Sequence, residues 1–153
     1  MADAQKTAVD FTLPSTGGTD VTLSALRGQP VVLFFYPRDD TSGCTTEAKA
    51  FSALKSEFDA LGVQVFGVSK DSMTAHDKFV AKHDLTVPLL SDENGSACED
   101  YDVWAEKSMY GKKFWGIVRS TFLINADGKI AQEWRKVKVP SHAEAVLDAA
   151  RGL

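Results

Sequence analysis

Six consecutive apolar residues, Val31-Val32-Leu33-Phe34-Phe35-Tyr36, run straight into the polar stretch Pro37-Arg38-Asp39-Asp40-Thr41-Ser42-Gly43-Cys44. A short apolar run with no period of two is a strand covered on both faces, and such strands belong to sheets with helices packed on either side. From Thr45 to about Leu61 the apolar residues Phe51, Leu54, Phe58 and Leu61 recur at spacings of three and four. That pattern predicts a helix with one core-facing stripe, ended by Gly62. The chain therefore reads strand, Pro-started loop, helix, and the loop delivers Cys44 into the helix's first turn.

The rest of the chain extends this unit in both directions. Residues 1–8 are polar and predict a loosely ordered start. Val9–Leu13 and Asp20–Leu23 alternate and flank Pro14-Ser15-Thr16-Gly17-Gly18, which suggests a hairpin. Ser24–Gly28 reads as a turn. After the first long strand, Val63–Val68 is a second strand and Ser72–His83 a helix. Val87–Leu90 is a third strand, limited by Pro88 to an edge or a strand start. Asn94–Asp102 suggests a short helix carrying Cys98. Val103–Val118, with mixed aromatics, lysines, Gly111 and Gly116, reads as a long loop or surface segment. Thr121–Ile124 and Ile130–Trp134 flank Asn125-Ala126-Asp127-Gly128, a strong hairpin turn. Ser141-His142-Ala143-Glu144 has the form of a capping box and opens a last helix to about Arg151. Alternation of this kind implies a single α/β domain over 1–153, with a central sheet and helices on both faces.

Composition narrows the function classes. The chain is 44% hydrophobic and 25% charged with a net charge of −4, and its Lys and Arg residues are scattered. That argues against a nucleic-acid or anionic-membrane surface. No apolar run reaches membrane-spanning length and the start has no signal-peptide core, so a cytoplasmic protein is expected. The two cysteines, Cys44 and Cys98, form neither a disulfide framework nor a metal-type spacing. In a reducing compartment a cysteine matters for its reactivity.

A thiol at a helix start meets unpaired backbone N–H groups and the positive end of the helix dipole, both of which favour the reactive thiolate. The alternative is a small buried hydrophobe, and position alone leaves the two balanced. The neighbours favour chemistry. Thr41 and Ser42 are hydroxyls able to cap the helix or bond a group beside the sulfur, Gly43 permits close backbone approach, Pro37 sets the loop's start, and Arg38 is a nearby cation.

The run Pro37 to Cys44 resembles the peroxidatic-cysteine loop of peroxiredoxins, P-x-x-x-T-x-x-C. Asp10-Phe11-Thr12-Leu13-Pro14, Gly67-Val68-Ser69-Lys70-Asp71-Ser72, Leu90-Ser91-Asp92, Trp104-Ala105-Glu106-Lys107 and Arg119-Ser120-Thr121-Phe122-Leu123-Ile124 resemble the bacterioferritin comigratory protein (PrxQ) branch in particular. The resemblance implies a thioredoxin-like fold and reduction of hydrogen peroxide or organic hydroperoxides by a monomer that needs no metal, haem or flavin. It implies Cys44 as the peroxidatic nucleophile, Thr41 hydrogen-bonding the peroxide, Pro37 shielding the pocket from water, and Arg119 holding a guanidinium against thiolate and peroxide. Read without the resemblance, Arg119 is a surface ion-pair residue at a strand start.

The sulfenic acid formed on Cys44 must be reduced by another thiol. The resolving cysteine usual in that branch falls at position 49, which is Lys49, and the alternative helix 72–83 contains none. Position 42 is Ser where Pro is usual. Cys98 would resolve Cys44 only if their Cα atoms came within about 7 Å or the chain unfolded locally. The favoured reading is a single-cysteine mechanism, with thioredoxin, glutaredoxin or a small thiol as reductant. A thiol–disulfide oxidoreductase lacks its C-x-x-C pair, and a non-enzymatic redox sensor switched by Cys44 oxidation is the other alternative. His76, His83 and His142 read as surface residues, Asp39-Asp40 as solvated loop acids, and the three tryptophans as core or pocket lining.

Overall fold

The structure is a computed structural model that describes residues 6–153. Its centre is a five-stranded mixed sheet in the order β5-β4-β3-β8-β9. The middle strand β3 (Val31–Phe35) is buried along its whole length, as its unbroken apolar run requires. It pairs in parallel with β4 (Gln64–Ser69), which pairs in parallel with the edge strand β5 (Leu89–Ser91). On its other side β3 runs antiparallel to β8 (Ser120–Ile124), and β8 to β9 (Ile130–Arg135) across the turn at 125–128.

Alternate residues of β3 feed two cores. Val32 and Phe34 face Phe51 and Ala48 of α1 (Ser42–Ala53), Phe58 of α2 (Lys55–Ala60), Phe79 of α3 (Met73–His83) and Val146 and Leu147 of α5 (His142–Arg151). Val31, Leu33 and Phe35 face the opposite core, built from Leu13, Leu23, Ala97, Cys98, Tyr101, Val103 and Ile117. Helices therefore lie on both faces, but unevenly. Among the described residues four α-helices cover one face, while the other has the single-turn α4 (Ala97–Asp100) and a 3-10 turn among hairpins. The N-terminal hairpin is present as β1 (Thr12–Leu13) with β2 (Val21–Thr22), followed by a 3-10 turn over Leu23–Leu26. Beyond β1, Ser91 N–H donates to Pro14 O, and Thr16 N–H to Leu89 O. These bonds cover the open edge of β5.

Four expectations need correction. Of the loosely ordered start, residues 1–5 lie outside the described residues, but Thr7 bridges Lys129 and Ala8 is buried, so the chain is tied down from Lys6 onward. The segment 103–118 is not a loop: β6 (Trp104–Met109) and β7 (Lys112–Ile117) form an antiparallel hairpin. Its turn is Tyr110-Gly111, both at positive φ, the geometry of a tight hairpin turn; tyrosine in place of the usual Asn or Asp hid it. The helix after Cys44 starts earlier, at Ser42, and is broken at Leu54, which leaves Leu61 exposed rather than on the core stripe. Ser141 makes no side-chain cap; it adopts a left-handed conformation at φ 62°, where a capping residue is ordinarily extended. Among the described residues no helix is long and apolar enough to cross a membrane.

Candidate active site

Cys44 is the third residue of α1 and is buried. The loop before it is anchored at one end by β3 and along its length by α3. Tyr36 OH donates to Asp39 Oδ1 at 2.6 Å, and Asp39 N–H donates to Asp71 Oδ2 at 2.9 Å. Asp39 Oδ2 stands 2.6 Å from Nδ1 of His76, whose Nε2 donates to the Leu90 carbonyl at 2.9 Å. Burial alone would lower the pKa of His76, but the bond and charge of Asp39 raise it, which favours a doubly protonated ring. Asp40, at φ 60°, pairs with Lys82 at 2.7 Å and His83 at 2.8 Å. The loop acids are thus tethers to α3, and His76 is a buried partner, not a surface residue. Hydrophobic periodicity carries no trace of such pairings across the sheet.

Asp39, Asp71 and His76 offer ligand atoms within 4.8 Å of one another. Each is committed internally: both His76 nitrogens as above, and Asp71 Oδ2 to Ser69 Oγ and the Asp39 amide. The group works as a hydrogen-bonded knot beneath the loop.

Arg119, just ahead of β8, reaches the sulfur. Its Nη2 lies 3.3 Å from Cys44 Sγ and its Nη1 donates to Glu47 Oε1 at 2.7 Å. A Cβ on Gly43 would sit 3.2 Å from that same Nη2, so the missing side chain makes room for the guanidinium. Burial opposes the charge on Arg119, but Glu47 and Cys44 more than offset it and raise its pKa. The surface ion-pair reading of Arg119 is therefore wrong. Its partners are buried, and one of them is the sulfur.

The remaining predicted residues sit around this pair. Thr41 occupies the N-cap position of α1 but its hydroxyl donates back to the Arg38 carbonyl at 2.9 Å, so no side chain caps the first-turn N–H groups. Thr41 thus leaves those groups without its cap, and its hydroxyl, donating to Arg38, keeps its acceptor lone pairs. Pro37 and Thr41 are both exposed, Pro37 at the loop's start. Arg38 is also exposed, and the cation beside the sulfur is Arg119 instead. Cys98 belongs to the other core, with the sheet between it and Cys44, so the folded chain keeps the two cysteines apart. Both are free thiols.

Two site residues escape sequence reasoning. Glu47 is only 1% exposed and its Oε2 has no hydrogen-bond partner. Burial pushes its carboxyl up to about 7, against the pull of Arg119. A signal for it exists: Cys44, Glu47, Ala48 and Phe51 share one helical stripe, and a charge on an apolar stripe demands a partner. His142, at the start of α5, is buried against Phe51 and Trp134 and bonds Thr121 Oγ1 at 2.8 Å. Burial, helped by the Arg119 charge, pushes it down to about 4, so it is neutral at physiological pH. Lys107 of β6 borders the cluster, bonds the Ile117 carbonyl, and has its pKa lowered, first by burial and then by Arg119.

Chemically, the arrangement holds a sulfur against a fixed cation at an uncapped helix start. The same donors can stabilise negative charge as it passes from sulfur to a departing oxygen.

A family model described as AhpC/TSA family matches residues 4–133. The chain is 50% identical over 142 residues to Peroxiredoxin Bcp of Xanthomonas campestris, covering 93% of this chain and 89% of that one. A solved Xanthomonas campestris bacterioferritin comigratory protein, from work on its alkyl peroxide reduction activity, matches with a TM-score of 0.88 at 48% identity, over 93% of this chain and 90% of that one. A mutant PrxQ of Xylella fastidiosa matches with a TM-score of 0.89 at 40% identity, over 99% and 98% of the two chains.

Proposed function

The chain belongs to the AhpC/TSA family as a thiol peroxidase with the thioredoxin fold of the bacterioferritin comigratory protein (PrxQ) branch, and on that premise we propose that Cys44 is its peroxidatic nucleophile and is re-reduced by an external thiol. The observation that carries the first half is the 3.3 Å approach of Arg119 Nη2 to Cys44 Sγ beside an uncapped helix start. The thiolate attacks the outer oxygen of a hydroperoxide and the O–O bond breaks. Sulfur then carries that oxygen with its proton as a sulfenic acid, and the leaving alkoxide or hydroxide takes up one further proton, from an acid in the site or from water, to depart as alcohol or water. Arg119 and the first-turn N–H groups hold the charge that moves onto the leaving oxygen. The Thr41 hydroxyl orients the peroxide with its acceptor face, and Pro37 limits water at the mouth of the site.

The second half is supported by Lys49 at the position of the usual resolving cysteine, and by the placement of Cys98 across the sheet. An attacking small thiol, glutaredoxin or thioredoxin displaces the sulfenic hydroxyl as water to form a mixed disulfide with Cys44, and a further thiol releases the Cys44 thiol as it takes over the disulfide. Two measurements test these claims together. Cys44→Ser should abolish peroxide turnover, a loss on the order of 10^4-fold or more, whereas Cys98→Ser should keep it. Mass spectrometry of peroxide-treated protein should show a sulfenic acid or mixed disulfide on Cys44. An internal Cys44–Cys98 disulfide would overturn the single-cysteine cycle, and turnover retained by Cys44→Ser would overturn the nucleophile itself.

A further inference from the structure

Charge balance around Cys44 leaves one group unexplained. Glu47 stands on the apolar stripe of α1 with one carboxyl oxygen on Arg119 and the other, equally buried, bonded to nothing. A buried anion with half its acceptors idle is costly, and an aliphatic side chain there would avoid the cost. The guanidinium is split between two acids: Nη1 serves Glu47 and Nη2 serves the Cys44 sulfur. The other titratable groups facing the cluster are His142 from α5, held neutral, and Lys107 from β6, whose amine is turned to the Ile117 carbonyl. Among the described residues Arg119 is the cation bonded to both buried acids, Cys44 and Glu47, and it is divided between them.

We propose that Cys44 and Glu47 share a single proton through Arg119, so that Glu47 is the carboxylic acid whenever Cys44 is the thiolate. The proton count closes. On activation the thiol S–H loses its proton and the Glu47 carboxylate gains one, with no change in net charge. On attack, thiolate, hydroperoxide and carboxylic acid become sulfenic acid, alcohol and carboxylate; the acid supplies the proton that the leaving alkoxide needs. The unbonded Oε2 is the atom available to carry that proton, and burial already raises the carboxyl into the neutral range. Glu47 is in this scheme a positioning and proton-holding residue that acts through Arg119. Its catalytic consequence rests on Cys44 being the peroxide nucleophile, whereas the sharing itself does not.

Two interacting acids titrate as a pair, so each must report the other. In reduced, folded protein the ultraviolet absorbance of the thiolate should rise in two steps with pH. In Glu47→Gln, which keeps the shape and a hydrogen bond to Arg119, it should rise in one step. That step should be complete more than about one pH unit below the wild type's second step. The coupling is reciprocal. Infrared spectra of Cys44→Ser should accordingly show the buried carboxylic acid losing its proton at a pH lower by a similar interval than in wild type. This second measurement does not depend on Glu47→Gln folding. Superposable thiolate titrations, or a carboxyl band indifferent to Cys44→Ser, would overturn proton sharing. Neither result bears on peroxide turnover by wild type and Cys44→Ser, which tests the nucleophile separately.

Discussion

The protein holds two buried cysteines, each in the first turn of a helix, and the surroundings of the two are opposites. At Cys44 the N-cap residue Thr41 turns its hydroxyl back to the Arg38 carbonyl, and a guanidinium closes on the sulfur. At Cys98 the carboxylate of Asp92 takes two first-turn amides, that of Ala97 at 3.0 Å and that of Cys98 at 2.9 Å. Burial pushes the Cys98 thiol far above its ordinary value, and the adjacent Asp92 charge pushes it further. A helix start by itself does not activate a thiol. What decides is whether its N–H groups are left free and which sign of charge faces the sulfur.

The sharpest way to break the comparison is to remove each cysteine's cation. Arg119→Ala should lower the peroxide rate constant by roughly 10^2–10^3-fold, with the fold checked by circular dichroism. Arg119→Lys should recover only part, because an ammonium cannot fork between Sγ and Glu47. Lys70→Ala removes the cation that pairs with Asp92 at 3.2 Å on the Cys98 side and should leave the rate at wild-type level. Equal losses in the two variants would erase the distinction.

A smaller effect separates the sides by stability. Asp92→Asn leaves a single acceptor oxygen for two buried amides, so denaturant titration should show a loss of roughly 2–3 kcal/mol with peroxide turnover unchanged. The smallest test uses acid. His142 packs on the Cys44 side with a pKa of about 4, below the ordinary 6.5. As pH falls from 6.5 to 4 the unfolded chain binds this proton before the native one does, so stability held above 6.5 is lost across that window. Glu47 acts in the opposite sense, because its raised value makes the native state bind the proton first between 4.5 and 7. The contribution of His142 is therefore read as a difference. His142→Gln should lose on the order of 1–2 kcal/mol less than wild type between pH 6.5 and 4 in urea titrations. Identical slopes would show that the ring is not held neutral by the fold.

Much of the fold was legible in local pattern. The β3 run, the Asn125–Gly128 turn, the helix after the second strand and the limit that Pro88 sets on the third, an edge or a strand start, all follow from periodicity and turn chemistry, which are properties of neighbouring residues. The β6–β7 hairpin was not legible, because Tyr110 occupies a left-handed turn position that tyrosine rarely takes and the flanking strands, exposed over most of their length, show no clean alternation. Glu47 was half-legible as a charge on an apolar stripe. His76 was hidden, since its reason for burial is an aspartate in another loop.

Sequence alone determined that a strand, a Pro-started loop and a helix would bring a cysteine to a helix start, because backbone preference and hydrophobic period act within a few residues. Tertiary structure decided what that cysteine faces, and the sequence reached Arg119 only through its family resemblance. Arg119 is distant in sequence from Cys44 and reaches it because β8 pairs with β3, bringing the residue just before β8 beside the catalytic loop. Glu47, one turn along α1 from Cys44, then competes with the sulfur for that cation, while the sheet shuts Cys98 into the opposite core. Electrostatics at a buried site depends on distance through space, which no spacing along the chain records.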